Sequence, residues 1–494
     1  MNDDATTSKD SEDKGDVNVK DSEHVQNSPN EDATNPRKRQ HEKDPENPVV
    51  PEKKEKSGKD DNDPFVMDVP YKVINGIKYL SPYWCPFKTR AKGRWVGRSM
   101  VECFSQEFLS VNPNYTKIAC KMGRMFVNGE QMTDINYVFK HNDRVEHWMH
   151  RHEHPVLDLP IRIINEDENL LVVDKPPSMP VHACGQYNIN TIMGQLRQNK
   201  MADKELRVLH RLDRTTSGIL LFAKNYATDL EFKTTLKDGH WKKTYVCKVE
   251  GEFPEGAVFC DQPIGNLVIS MGIQCVRPDG KPARSKFRRM WTNGKESVVE
   301  VTIDTGRTHQ IRVHAQFLGY PLIDDKIYNS RNWGEQKGKN AEYGKSYEEL
   351  AEIIRVNHRS ENWMEYKNPE YDQMMEDIAA KLDEITPDDP NIRPEERPSA
   401  DKICLSCNVR KKVPQMIDFR MPLHCLRYET DKWSFQTELP DWAREPGGQV
   451  LETVPDQPIL EPDHADQVPE SSLQNSELEK FQNLSNQNVQ LRIG

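Results

Sequence analysis

In the run Val208-Leu209-His210-Arg211-Leu212-Asp213-Arg214-Thr215-Thr216-Ser217-Gly218-Ile219-Leu220-Leu221-Phe222-Ala223-Lys224, one carboxylate stands close to two permanent cations. An apolar stretch with the character of a buried strand follows at once. Neighbouring arginines lower the pKa of Asp213 and keep it ionised at neutral pH. An ionised carboxylate at the end of a strand can act as nucleophile or base. The same residues also suit a plain turn, with Asp213 as cap, the hydroxyls of Thr215, Thr216 and Ser217 satisfying backbone groups, and Gly218 at a special dihedral.

Three further segments favour chemistry over a turn. Leu170-Leu171-Val172-Val173-Asp174-Lys175-Pro176-Pro177 reads as a buried strand stopped by prolines. Lys243-Thr244-Tyr245-Val246-Cys247-Lys248-Val249-Glu250-Gly251 alternates as a strand does. Gly306-Arg307-Thr308-His309-Gln310-Ile311-Arg312-Val313-His314 leads into Ala315-Gln316-Phe317-Leu318-Gly319-Tyr320-Pro321. In this order and at domain-scale spacing, the four segments resemble the motifs of the RluA family of RNA pseudouridine synthases. Ser178-Met179 departs from the small, glycine-rich continuation usual after the first of them.

The resemblance implies an isomerase that turns uridine into pseudouridine. That reaction breaks an N-glycosidic bond, turns the base and joins its carbon 5 to the sugar. No oxidation state changes, so neither a redox cofactor nor a metal is expected. One ionised carboxylate suffices, whether it attacks the sugar, attacks the pyrimidine or removes a ribose proton. By resemblance Asp213 is that group, Arg312 pairs with it, and Tyr245 stacks on the target base. Arg211 matches the residue that fills the stack when the nucleotide is extruded. His210 and Arg307, with His309 and His314, are expected to support the site or bind phosphate. The competing reading is a non-catalytic RNA-binding or RNA-chaperone protein on a synthase scaffold. Retention of Asp213, Tyr245 and Arg312 together argues against it.

These groups need a scaffold. Strands separated by single helices and hairpins, without a repeating βαβ rhythm, predict an α+β catalytic domain over 157–430 with a mixed, largely antiparallel sheet. Ahead of it, a helix over 100–115 (Val101, Phe104, Phe108, Leu109) precedes short strands around Asn128-Gly129, Tyr137–Phe139 and Arg144–Glu146. With the aromatic and basic lead-in from Phe65, including Ser81–Phe87 and Lys92–Gly97, residues 65–150 resemble the alpha-L RNA-binding module and the lead-in of eukaryotic family members. Residues 331–403 interrupt the family pattern as an insertion, with helices predicted at Tyr347–Val356 and Tyr371–Ile385. Gly344-Lys345-Ser346 within it lacks the upstream glycine and strand of a phosphate loop.

Composition divides the chain. Residues 1–64 hold 18 acidic and 11 basic side chains and no aromatic, and residues 446–494 hold 8 acidic and 2 basic. Both are expected to be disordered tails. They account for −7 and −6 of a formal net charge of −11, which leaves the body at about +2. An acidic total therefore does not exclude an RNA partner. tRNA is the expected substrate, with mRNA the alternative; no membrane and no obligate protein partner is indicated. Ten cysteines without a regular pairing pattern point to a reducing compartment. Met1-Asn2-Asp3-Asp4 is too acidic for a mitochondrial transit peptide, and Pro36-Arg37-Lys38-Arg39-Gln40 is either a nuclear localisation signal or a solvated charge cluster. Cytoplasm, nucleus or both are expected.

Two segments have metal-ligand character. His147-Trp148-Met149-His150-Arg151-His152-Glu153-His154 carries four imidazoles, but neighbours on a strand face opposite ways and do not close a tetrahedron by themselves. Cys404-Leu405-Ser406-Cys407 would need a second pair, and His424-Cys425, adjacent on a strand, cannot readily supply it. No metal site is expected.

Overall fold

The computed structural model describes residues 68–446, apart from 108–111, 199–205, 240 and 359–367. The acidic segments and the basic run at Pro36–Gln40 lie outside the described residues, as do Phe108 and Leu109.

The N-terminal module is a helix pair laid on a four-stranded sheet. Its elements are β1 (Tyr83–Arg90), α1 (Met100–Glu107), α2 (Tyr115–Lys121), β2 (Met125–Val127), β3 (Glu130–Met132) and β4 (Arg144–Arg151). The sheet order is β1-β4-β2-β3, antiparallel throughout. The single helix expected over 100–115 is two helices. Pro113 cannot donate to a helical ladder, and the Asn112 side chain accepts a hydrogen bond from the Asn114 backbone at 2.9 Å, which starts a new turn. Trp95 of the lead-in fills the module core together with Phe104 and Phe139, so this aromatic serves packing.

The catalytic body is built on a twisted mixed sheet. Its main strands are β5 (Arg162–Glu166), β6 (Leu170–Lys175), β7 (Ser217–Ala223), β8 (Trp241–Glu250), β9 (Ala257–Cys260), β10 (Ser285–Thr292), β11 (Glu296–Ile303) and β12 (Leu423–Thr430). They lie in the order β9-β10-β11-β8-β12-β7-β6-β5. Every pair is antiparallel except β7 with β12. The apolar runs of β6 and β7 are continuous because both faces are covered. Leu170, Val172, Ile219 and Leu221 enter one core, while Leu171, Val173, Leu220 and Phe222 enter another with α3 (Ile192–Gln198). After β7, α4 (Tyr226–Asp238) starts at Asn225, whose side chain accepts from the Thr228 backbone, and ends at Gly239 with φ 76°.

Gly218 marks the closest approach in the sheet. Its φ is +108°, and a Cβ there would lie 2.2 Å from the Cys425 carbonyl oxygen on β12. Only glycine allows the two parallel strands to pair at that point.

The body extends past the expected boundary at 430. A final strand, Ser434–Gln436, pairs with β12, and the Trp291 indole donates to the Ala443 carbonyl at 2.7 Å. The insertion divides in two. Trp333, Tyr343, Leu350 and Ile354 pack with Val313 and Tyr328 of the catalytic body. In contrast α6 (Tyr347–Asn357) is followed by α7 (Pro369–Ala379), which lays Tyr371 and Met375 against Ile118 and Ala119 of the N-terminal module. The second half of the insertion thus belongs to the module surface. Ser346 is the cap of α6, accepting from the Glu349 backbone at 3.1 Å, which gives the Gly-Lys-Ser tripeptide a structural role.

Candidate active site

Asp213 sits in the loop that enters β7, and its side chain keeps 27 % of its surface exposed. The loop is fixed from beneath by Lys175. This lysine is fully buried, and its ammonium donates to the carbonyls of Pro176 at 3.0 Å, Arg214 at 3.1 Å and Thr216 at 2.7 Å. All three donors are used. Burial, reinforced by the charge of Arg214, pushes the Lys175 pKa down to about 7.

Arg312 comes from α5 (Gln310–Phe317), a helix whose first seven residues are buried. Ile311 packs into the catalytic core and Val313 into the core shared with the insertion, so the helix is wedged between the two. The guanidinium reaches Asp213 Oδ2 from Nη1 at 3.2 Å. Its Nε and Nη2 donate to the Asp325 carboxylate at 2.7 and 2.9 Å. Asp325 is buried and also accepts from the backbones of Ile327 and Tyr328, each at 3.0 Å. Burial penalises the charge of Arg312, and the two carboxylates more than offset it, so its pKa is raised.

His309 completes the cluster from the N-cap of α5, in a left-handed conformation with φ 57°. Its Nδ1 lies 2.9 Å from the Tyr328 hydroxyl, which accepts from the Gln274 backbone at 3.0 Å and keeps its own proton for the imidazole. That arrangement places the imidazole proton on Nε2, 3.7 Å from Asp213 Oδ2. Burial pushes the His309 pKa down to about 4, so the ring is neutral at pH 7. For Asp213, burial opposes ionisation, and the His309 and Arg312 partners reverse it and hold the pKa below the usual carboxylate value. With His309 neutral, the main fixed charge at pH 7 is that of Arg312, with a smaller contribution from Arg211.

Tyr245, on β8, is buried in the catalytic core and stands opposite Cys425 of β12, which in turn stands opposite Gly218 of β7. Burial, then Cys425, raises its hydroxyl pKa, with Asp213 close enough to add to the rise, so the ring is neutral and phenolic. Arg211 is exposed, touching only the rim of the cluster through Thr308 Oγ1 at 3.3 Å. Arg307 is also exposed, with its Nε on the Pro282 carbonyl at 2.9 Å. His210 does not join them: its Nε2 accepts from the Leu221 backbone at 3.3 Å, and its ring lies 5.0 Å from that of Tyr428. It braces the strand instead of facing a ligand. His314 is buried between Ser285 Oγ and the Gln262 carbonyl, both at 2.9 Å, and likewise supports the fold.

Asp325, Tyr328 and Gln310 are functional neighbours that their local sequence does not single out. Gln310 pins the loop before α5, accepting from Thr305 at 2.8 Å and from the Arg307 backbone at 3.0 Å. Asp324-Asp325 follows Pro321 closely enough to be a signal, but two adjacent acids do not reveal which one turns inward. The group of metal-type ligands among the described residues is His150, His152, Cys404 and Cys407, which lies on the module and not around Asp213.

A sequence profile of the RNA pseudouridylate synthase family matches residues 169–317, which span Asp213, Tyr245 and Arg312. An uncharacterized protein of Caenorhabditis elegans is 61 % identical over 82 % of this chain and 94 % of its own length. Pseudouridylate synthase RPUSD2 of Mus musculus is 36 % identical over 80 % of this chain and 77 % of its own. The mitochondrial tRNA pseudouridine(32) synthase of Saccharomyces cerevisiae is 32 % identical over 75 % and 78 % respectively.

Proposed function

Because the chain belongs to the RluA-type family of RNA pseudouridylate synthases, and so is an isomerase of uridine in RNA, we propose that Asp213 is its catalytic carboxylate, held by Arg312, and that tRNA is its substrate. The observation that carries the assignment is the chain of contacts from Asp325 through Arg312 to Asp213 Oδ2 at 3.2 Å. It sets an ionised, partly open carboxylate at the mouth of the cluster, where a uridine can reach it.

In the reaction the bond from ribose carbon 1 to base nitrogen 1 breaks and a bond to carbon 5 forms. The proton on carbon 5 is lost and one is gained at nitrogen 1. Tyr245 offers an aromatic face on which the freed base can turn. Arg211, exposed at the rim, fills the stack that the extruded nucleotide leaves. Arg307 suits the flanking phosphate.

For the substrate, the support is the yeast relative named for position 32 of tRNA, a body near electrical neutrality, and the cost of base extrusion. A uridine in a loop or at a helix end unstacks for at most a few kcal/mol, which favours the anticodon stem-loop. Transcriptome-wide pseudouridine mapping with and without the gene tests this. Loss of signal at a tRNA loop position is expected. Loss confined to mRNA or rRNA would overturn the tRNA assignment and leave the enzyme class intact.

A further inference from the structure

Two segments that look incomplete apart are brought together by the fold. His150, near the end of β4, and His152 are two residues apart along an extended chain, so both imidazoles point to one side. Cys404 and Cys407 belong to the C-x-x-C that closes the insertion. One nitrogen or sulfur from each of the four lies within 4.8 Å of the others. We propose that these residues bind one zinc ion, which clamps the end of the insertion to the N-terminal module.

The distances fit a tetrahedron around a cation. Zinc bonds of ~2.1 Å to nitrogen and ~2.3 Å to sulfur make tetrahedral edges of ~3.4 Å between nitrogens and ~3.6 Å from nitrogen to sulfur. His150 Nδ1, His152 Nε2 and Cys407 Sγ are 3.2 Å from one another on all three sides.

Hydrogen bonds cannot account for that triangle. A neutral imidazole nitrogen either donates or accepts, never both, so protons can satisfy at most two of the three edges. A cation satisfies all three lone pairs together. Two thiolates with two imidazoles are the donor set that favours zinc, and a closed four-ligand site is structural in character.

The surroundings are built for such a clamp. The Asp401 backbone N–H points at Cys407 Sγ at 3.4 Å. The Asp401 carboxylate takes a bidentate contact from buried Arg124 of the module at 2.9 and 3.0 Å. The Trp84 indole of β1 donates to the Pro398 carbonyl at 2.8 Å. The insertion therefore arrives at the histidines already docked. Lys411 Nζ lies 3.1 Å from His152 Nδ1. With zinc on Nε2 that nitrogen carries the proton, so the exposed Lys411 turns away to solvent.

This geometry is the reason we depart from the expectation of no metal site. Each half was discounted for want of a partner, and the partner considered for the cysteines was the wrong one. His424 is held by Ser217 Oγ at 2.8 Å and Thr437 Oγ1 at 2.6 Å inside the catalytic body.

Elemental analysis of full-length protein, purified in reducing buffer without chelator, should give about one zinc per chain. Cys404→Ser with Cys407→Ser should lower it at least tenfold. Exchange of the wild type into cobalt(II) should produce the visible bands of a tetrahedral site with thiolate charge transfer. His152→Cys, which keeps four ligands, should retain the metal and strengthen the charge-transfer band. Wild-type protein with free thiols that neither contains zinc nor colours with cobalt overturns the proposal, as does undiminished zinc in the double variant. None of these readouts depends on pseudouridine formation.

Discussion

Arg312 tethers Asp213 by a hydrogen bond donated from a single nitrogen at 3.2 Å, while its other two hydrogen bonds go to Asp325 and its guanidinium lies over the Tyr328 ring. The tether determines how activity responds to pH. The Asp213 pKa is depressed, so the carboxylate is already ionised above its ordinary value and loses its charge only below it. His309, pushed down to about 4, does not titrate near neutrality. Single-turnover rates should therefore be level from pH 5 to pH 7, with no acid limb near 6.5. In Arg312→Met the burial of Asp213 is opposed only by the exposed Arg211 among fixed charges. The acid limb should then move up by roughly 1–3 pH units, in addition to a fall in rate.

Asp213→Asn should fold and bind RNA yet lose roughly 10²–10⁴-fold or more in turnover, read by carbodiimide primer extension. Wild-type turnover in this variant would remove Asp213 from the chemistry. Arg211→Ala should mainly weaken RNA binding, because that side chain is exposed and touches the cluster only through Thr308.

Asp325→Asn leaves Arg312 charged and buried without its principal partner. Breaking such a pair costs about 3–5 kcal/mol, visible as a shift in urea midpoint. The freed guanidinium should also mis-set Asp213, so kcat falls more than apparent RNA affinity. An unchanged urea midpoint would show that Asp325 does not anchor the arginine.

Lys175 carries a second pH signature. Its folded pKa is lowered to about 7 from an unfolded value near 10.5. Between those values the unfolded chain binds more protons, so stability rises with pH across that window. Lys175→Met removes this contribution, of about 1.4 kcal/mol per pH unit, and takes from the Pro176, Arg214 and Thr216 carbonyls the three N–H donors of the ammonium, or the two of the neutral amine at pH 9. Chemical denaturation at pH 7 and pH 9 should show the variant less stable at both, and by more at pH 9. A gap that narrows toward pH 9 would contradict the assignment.

Gly218→Ala should be among the most damaging single-methyl changes available. The added carbon has nowhere to go between the strands, since the backbone nitrogen and carbonyl carbon of Cys425 stand 2.6 and 2.8 Å from it in addition to the oxygen. Insoluble expression or a melting point lowered by many degrees is expected. A variant within a degree or two of wild type would mean that β7 and β12 separate easily.

The proposed catalytic residues were legible because each lies in a motif whose local pattern is distinctive. Asp213 precedes an apolar strand, Tyr245 alternates on another, and Arg312 lies between two apolar residues. What escaped was whatever draws its meaning from a distant partner. Lys175 looks like any lysine before a proline until the 214–216 carbonyls close around it. His210 reads as a ligand-facing residue because it adjoins Arg211, yet the loop turns it toward Tyr428. The insertion reads as one piece because it is bounded only by where the family pattern stops and resumes, while its apolar residues serve two different cores.

The strand of Tyr245 and the strand that follows Asp213 are not neighbours. Both pair with β12, which begins at Leu423. During synthesis the residues of β7 and β8 leave the ribosome long before that strand exists. With roughly 200 residues still to be made at ~5–20 per second, the halves of the site wait on the order of 10–40 s for the segment that joins them. A chain cut short before β12 is therefore expected to be inactive, since it lacks the strand that bridges β7 and β8. The proposed site comes together only once β12 has been made.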